Sequence, residues 1–190
     1  MLFDKLINCV YMYSRNLLPI SFGLFIIVFI VTHMVSYPGS LSYLMTLTRG
    51  EQILDMEPSF SSIETYSRLE AFGEDGRQMY KRTILSIDLI FPLSVFFFLY
   101  QLGKYCSQVL PNGRRLTLLF AIISLTYLGF DLLENSIVLV ILSYYPYQLE
   151  FLAGNIGIVT IIKRIAMMSG LIIPFTLLSY KKIQFYVQSD

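Results

Sequence analysis

The residues best able to do chemistry in this chain are two acids and an amide that interrupt a long apolar run. Asp131, Glu134 and Asn135 lie within Phe130–Ser136, in the middle of an apolar stretch from about Leu116 to Ser143. A stretch of that length can cross a bilayer whose hydrocarbon core is about 30 Å thick. A charge near its centre costs at least about 2.5 kcal/mol, so such residues usually face the bundle interior or a wet cavity. The run therefore predicts a transmembrane helix that carries a buried polar site.

Acid–base catalysis is one chemistry that these carboxyl groups could perform. Buried carboxyls serve as general acids and bases because burial and neighbouring charges adjust their pKa values. If the protein is an enzyme, we expect Asp88, Asp131 and Glu134 to be its catalytic residues. Lys163 could bind an anion or act as a nucleophile, but an ion pair with an acid is its more common use.

Other polar and aromatic residues fall near these acids at helical spacing and are candidates for binding a ligand. They are Asn135, Lys163, Arg164, Arg77, Tyr80, Tyr127 and His33. His33 is the only histidine, and no second histidine or cysteine lies nearby, so no metal site is expected. No cofactor is expected either, because the sequence has no phosphate loop, dinucleotide fingerprint or Gly-x-Ser-x-Gly motif.

Composition identifies the class of protein that must position these residues. The chain is 55% hydrophobic and 14% charged, with a mean hydropathy of +0.63, which is too apolar for a soluble domain of 190 residues. The net charge of +1 and the lack of a basic cluster exclude nucleic acid as an expected partner. Cys9 and Cys106 have neither metal-like nor redox-like spacing and are expected to be free thiols.

The predicted architecture is all-α: one integral membrane domain over residues 1–190, built as a four-helix bundle. The spans cover about 19–36, 83–102, 116–143 and 152–180. Residues 1–18 have the spacing of an amphipathic helix lying on the membrane surface, and Pro19 is expected to open the first span. Residues 39–82 form an outer segment.

Basic residues near the span ends predict the orientation. They lie before the first span, between the second and third, and after the fourth, at Lys5, Arg15, Lys104, Arg114, Arg115, Lys181 and Lys182. The loop between the third and fourth spans has none. By the positive-inside rule, both termini are cytoplasmic and the outer segment lies on the opposite side.

The outer segment is expected to be helical. Apolar residues from Ile63 to Phe72 recur at helical spacing up to Gly73, after which Glu74 and Asp75 open a second helix. We expect this second helix to run unbroken into the second span. Arg77, Lys81 and Asp88 would then share one face and form an approach to the acid.

Counting residues along the helices predicts that the charges of the third and fourth spans lie at the same depth in the membrane. Asp131 and Glu134 lie roughly 18 and 13 Å below the outer end of the third span, and Lys163 lies roughly 15 Å below that of the fourth. A structural interpretation is that Lys163 or Arg164 pairs with these acids only to hold helices together. The number of polar groups at this level exceeds what one such contact requires, which favours a binding pocket.

The motif combination resembles that of uncharacterised four-span microbial membrane proteins. The residues that carry the resemblance are Leu69–Gly73, Gly76, Arg77, Tyr80, Asp88, Phe91, Pro92, Asp131–Asn135, Thr160 and Lys163. This resemblance implies no activity. The helix count and the prolines in spans two and four are also similar to those of four-span EXPERA proteins, which resemble sterol isomerases and bind sterol-like amines. The acid cluster has no counterpart there, so no functional residue is assigned from that family.

These patterns predict a polar pocket that opens outward and binds a membrane lipid or another hydrophobic small molecule with a polar head. An enzyme acting on a lipid or isoprenoid-like substrate is the most concrete form of this hypothesis. A noncatalytic lipid-binding protein, a proton- or ion-coupled carrier working as a homo-oligomer, and a structural subunit of a larger membrane complex are the alternatives.

Overall fold

The computed structural model describes residues 2–48, 50–110 and 113–189, and the side chains of 17–48, 50–110 and 113–183. This part of the chain is all-helical, as predicted, and contains no strand. Its helices are α1 (Leu2–His33), α2 (Leu41–Leu47), α3 (Ser62–Ala71), α4 (Gly73–Ile84), α5 (Ile87–Val109), α6 (Gly113–Tyr144) and α7 (Glu150–Ser189). The side chains of the predicted amphipathic helix up to residue 16, including Cys9, lie outside the described residues.

Three helices have the length and apolar composition needed to cross a bilayer. They are Ile87–Val109, Gly113–Tyr144 and Glu150–Ile183, and a shorter apolar helical stretch covers Leu17–His33. Large apolar side chains on their outer faces are exposed, including Leu118 and Ile122 on α6 and Ile165 and Met168 on α7. Because exposed faces of this kind are stable in lipid and costly in water, the chain is a helical membrane protein.

The long helices pack as a three-helix core with α1 attached to one side. α5, α6 and α7 all contact one another, whereas α1 packs on α5 and α2, and none of its described Cα atoms comes within 8 Å of a Cα atom of α6 or α7. α5 and α6 lie so close together that a Cβ at Gly103 would be 2.3 Å from the Phe120 side chain. Glycine at position 103 therefore allows the two helices to approach each other here.

Residues 37–86 form a cap over one end of the core, and this end is where α6 finishes and α7 starts. Serine side chains cap two of its helices, since the Ser40 hydroxyl accepts from Tyr43 N–H and the Ser61 hydroxyl from Glu64 N–H. The cap shares one buried apolar cluster with the long helices, formed by residues that include Leu44, Leu54, Leu69, Tyr80, Ile84, Ile141 and Ile156. The predicted helical outer segment is thus a packed part of the bundle.

Two predictions about helix boundaries are wrong. Pro19 does not open the first membrane helix but lies inside α1. The helix that starts at Gly73 does not run unbroken into the second span, because it ends at Ile84 and α5 begins at Ile87. At the break, Ser86 has φ −119° and ψ −98°, and its hydroxyl donates to the Arg82 carbonyl at 2.7 Å. A serine hydroxyl that bonds a preceding carbonyl competes with the helical hydrogen bonds.

Candidate functional site

The centre of the polar site is the Lys163 ammonium on α7. It pairs with Glu134, and its Nζ lies 3.4 Å from an Asp131 oxygen, both on α6. It also pairs with Asp55, which belongs to the cap. The expected ion pair between the third and fourth spans is therefore confirmed, and one cation joins three separate parts of the fold.

The acids of α6 have further partners that fix their orientation. The Thr160 hydroxyl, one turn before Lys163, donates to Glu134. Asn135 Nδ2 donates to an Asp131 oxygen at 3.3 Å and, more weakly, to the Asp88 backbone carbonyl at 3.4 Å. Glu134 is completely buried, so Thr160 and Lys163 replace the water that its carboxyl group would otherwise bind.

Backbone contacts hold the cap against the same stretch of α7. Arg164 Nη2 donates to the carbonyls of Asp55 at 2.8 Å and Met56 at 2.7 Å. About two turns earlier on α7, the Gly157 N–H donates to the Ser59 carbonyl at 2.8 Å. A Cβ at position 157 would lie 2.4 Å from that Ser59 oxygen, so this approach requires glycine.

Asp55 is the member of the network that sequence reasoning missed. Burial alone would raise the pKa of Asp55, but the charge of Lys163 beside it holds the pKa below its ordinary value. Asp55 is therefore ionised in its pair with Lys163. The only sequence signal is a single acid that follows the apolar pair Ile53–Leu54 in an irregular segment.

Beside this network, α1, α5, α6, α7 and the cap enclose a cavity of about 350 Å³. One part of its lining is charged or polar, and the rest is apolar and aromatic. The polar residues are His33, Asp55, Asp88, Asp131, Lys163 and Arg164, and the others are Phe25, Phe29, Met56, Phe91, Tyr127, Met167 and Leu171. The volume and the mixed lining are typical of sites for small ligands.

Asp88 differs from the other acids of the cavity. Asp55 and Asp131 pair with Lys163, but no described side chain hydrogen-bonds or pairs with the Asp88 carboxyl. Asp88 lies in the first turn of α5 and is half-buried. Its carboxyl is thus the cavity acid with unused hydrogen-bonding capacity.

His33 lines the cavity within an aromatic cluster. Its ring stacks on Phe29 at a centroid distance of 4.6 Å and meets Phe91 edge-on at 4.9 Å, and its Nδ1 lies 3.2 Å from the Phe29 carbonyl. These contacts orient the ring at the end of α1.

Two of the predicted binding residues are not part of the cavity lining. Arg77 donates to the Leu69 carbonyl at 2.9 Å and stacks 4.0 Å above the Tyr145 ring, because the break before α5 separates its face from that of Asp88. Tyr80 is buried in the cap. Burial raises the pKa of its hydroxyl well above the ordinary value, and the nearby acids act in the same direction, so Tyr80 stays neutral.

The remaining predicted residues divide between the cavity wall and the layer behind it. Tyr127, Asp131, Lys163 and Arg164 line the wall. Glu134 and Asn135 stand behind it and contact the lining residues, as described above. The structure thus brings together eight of the ten predicted site residues.

The carboxylates of the network also have the spacing of a cation site. One oxygen each from Asp55, Asp131 and Glu134 lies within 4.8 Å of the others. Oxygen ligands of this kind suit hard cations. The Lys163 ammonium already contacts all three groups and supplies the positive charge that they need.

Comparisons with known proteins identify no relative of this chain: no protein-family model, curated protein or solved structure matches it.

Proposed function

We propose that this membrane protein binds a lipid or isoprenoid-like amphiphile in the 350 Å³ cavity. The observation that carries the proposal is that one cavity combines a charged end with an aromatic and aliphatic wall. A polar head would meet the charged groups, and an apolar chain would lie against Phe25, Phe91 and Leu171. Ligand sites commonly have this division, with few polar groups that orient and many apolar groups that bury surface.

Depth counted from the basic ends of the helices supports a site near the outer membrane boundary. Asp131 lies about 24 Å along α6 from Arg115, and Lys163 about 27 Å along α7 from Lys181, at 1.5 Å per residue. If the basic residues mark the cytoplasmic boundary, a hydrocarbon core of about 30 Å ends just beyond both. In this topology both termini are cytoplasmic, and the cap covers the outer surface. The head group would lie at the depth of lipid head groups rather than at mid-membrane.

We further propose that Asp88 is the residue that acts on the ligand, as a general acid or base. A catalytic carboxyl must be able to reach the proton that it transfers. Asp88 faces the cavity without a described partner, whereas Asp131 and Glu134 are held by Lys163, Thr160 and Asn135. The sequence predicted three catalytic acids, and this proposal assigns the catalytic role to Asp88 alone.

A pair of neighbouring substitutions on α7 tests ligand binding. Met167 lines the cavity, and Met168 is 52% exposed on the outer face. Met167→Trp should fill part of the cavity and lower the amount of co-purified amphiphile, measured by mass spectrometry of extracted lipids. Met168→Trp makes the same chemical change toward lipid and should leave that amount unchanged. Equal retention by both variants would contradict the proposed site.

The role of Asp88 needs a substitution that removes charge without removing volume. Asp88→Asn keeps the size and much of the hydrogen-bonding capacity of the side chain. We expect a protein as stable as the parent in thermal unfolding that has lost its co-purified ligand or its activity. Asp75→Asn, at an exposed position on α4, is the matched control. Unchanged ligand content together with unchanged activity in Asp88→Asn would exclude Asp88 from the site.

The ion network supports a second candidate, a structural or accessory subunit of a larger membrane complex. Lys163 joins α6, α7 and the cap, which is a scaffold role that needs no ligand. This function predicts that a gently extracted protein migrates with partner proteins, and that Met167→Trp and Met168→Trp both leave the complex intact.

A further inference from the structure

The cavity is bounded on two sides by helices whose backbones stay apart. α1 contributes Phe25, Phe29 and His33 to its lining, and α7 contributes residues that include Met167 and Leu171. Within the described residues, no Cα atom of α1 lies within 8 Å of a Cα atom of α7. This gap between the two helix backbones, here called the cleft, lies along the cavity wall.

We infer that this cleft is a lateral portal through which a bilayer lipid enters the site. The lining stripes of both helices continue into exposed apolar side chains: Phe22, one turn from Phe25 on α1, and Phe175, one turn from Leu171 on α7. The lining residues Phe29 and Met167 are only half-buried. The apolar wall of the cavity thus continues into surfaces that face the hydrocarbon core.

The cap covers the site on its aqueous side. Asp55 and Met56 line the cavity from the cap side, and Arg164 holds both of their carbonyls. Asp55 also pairs with Lys163, and the Ser59 carbonyl accepts from Gly157 N–H, nearly two turns earlier on α7. Entry from the aqueous side would have to break these contacts, whereas entry between α1 and α7 would leave them intact.

The occupant that fits this arrangement is one acyl or isoprenoid chain of a bilayer lipid. A volume of about 350 Å³ is near the lower limit of about 300 Å³ for ligand pockets, so the cavity suits one chain and a small head. Any further part of the lipid would remain in the bilayer through the cleft. This inference rests on the proposed binding function and adds the source and route of the ligand.

Tryptophan fluorescence can test the portal because the chain contains no tryptophan. Phe29→Trp places a single reporter in the cavity wall, and Ile30→Trp, at a position 42% exposed, places one on the outer face of the same helix. Ile63→Trp, at a position 82% exposed on α3, is the reporter for water. Each variant is reconstituted in vesicles of phosphatidylcholine with brominated acyl chains, which quench tryptophan on contact, and is titrated separately with acrylamide from the water phase.

We expect brominated lipid to quench the Trp emission at position 29, as it quenches the emission at position 30. Acrylamide should quench the emission at position 63 but not at position 29. Quenching at position 29 by acrylamide but not by brominated lipid would overturn the portal and indicate an aqueous entrance. Protection from both quenchers would overturn it as well, because the cavity would then be closed. Phe25→Trp is a second reporter in the same wall if Phe29→Trp does not fold.

The quenching experiment tests the portal, the ligand experiment tests the proposed function, and the two proposals can fail independently. Quenching by brominated lipid without any co-purified amphiphile would refute the proposed function and leave the portal standing. A co-purified amphiphile in a cavity that only acrylamide reaches would refute the portal and support the proposed function.

Discussion

Replacing Lys163 with methionine should be the most destabilising single change in the polar network. The substitution keeps a long side chain but removes the ammonium that contacts Asp55, Asp131 and Glu134. Glu134 is completely buried and would lose its cation. Breaking a buried ion pair by removing one partner costs about 3–5 kcal/mol, and we expect a loss in that range. That loss is a large share of the 5–15 kcal/mol, roughly, that stabilises a typical domain.

The cost should fall when the stranded acid is also neutralised. Adding Glu134→Gln leaves a neutral amide that can still accept from Thr160, so we expect a coupling energy of about 2–3 kcal/mol with Lys163→Met. Asp131→Asn should couple by about 1 kcal/mol, because its oxygen is 3.4 Å from Nζ. Asp55→Asn should couple by about 1 kcal/mol as well, since the Asp55 side chain is 29% exposed and water screens the pair.

The assay is denaturant-induced unfolding in detergent micelles, followed by circular dichroism, for the single and double variants. Lys81→Met, which removes a half-buried cation of the cap, is the control and should change the free energy of unfolding by less than about 0.5 kcal/mol. Strict additivity of Lys163→Met and Glu134→Gln would refute the reasoning, because it would mean that the two charges do not depend on each other.

Two further predictions concern the cap and the topology. Gly157→Ala should destabilise the protein by about 1–3 kcal/mol, because a Cβ would lie 2.4 Å from the Ser59 oxygen. Faster proteolysis within the cap would report this loss of stability. Gly154→Ala is the control: its Cβ would have no neighbour closer than 3.8 Å, so the proteolysis rate should change little. In a variant without native cysteines, Glu70→Cys should react with an impermeant thiol reagent on intact cells and Gln188→Cys should not; equal labelling would reverse the proposed orientation.

The sequence was sufficient to predict the contact between α6 and α7. Their apolar runs exceed the length of a bilayer crossing, and polar groups at helical spacing must turn away from lipid. Depth then allowed Lys163 to be matched with Asp131 and Glu134, because the rise per residue is constant along a helix. Regular geometry converts residue numbers into positions, which is why these partners could be found without a structure.

Asp55 could not be found by the same reasoning. It is 108 residues from Lys163 in the chain and lies in an irregular segment, where no period relates residue number to direction. The break at Ser86 had a similar effect, because it changed the direction of the chain between Arg77 and Asp88. Serine also occurs inside helices, so its presence alone does not predict a helix end.

Three of the four acids pair with Lys163 and Asp88 does not, so removing the charge of each acid in turn should distinguish their roles. Asp55, Asp131 and Glu134 all pair with Lys163, so neutralising any one of them alters the cohesion of the helices and cap as well as the charge of the site. Asp88 has no described side-chain partner, so its neutralisation breaks none of these pairs. A series of single neutralisations should therefore separate into acids that change the free energy of unfolding and one acid that changes the ligand. If Asp88→Asn instead destabilised the fold as much as Glu134→Gln and left the ligand in place, all four acids would be scaffold, and the accessory-subunit function would be favoured.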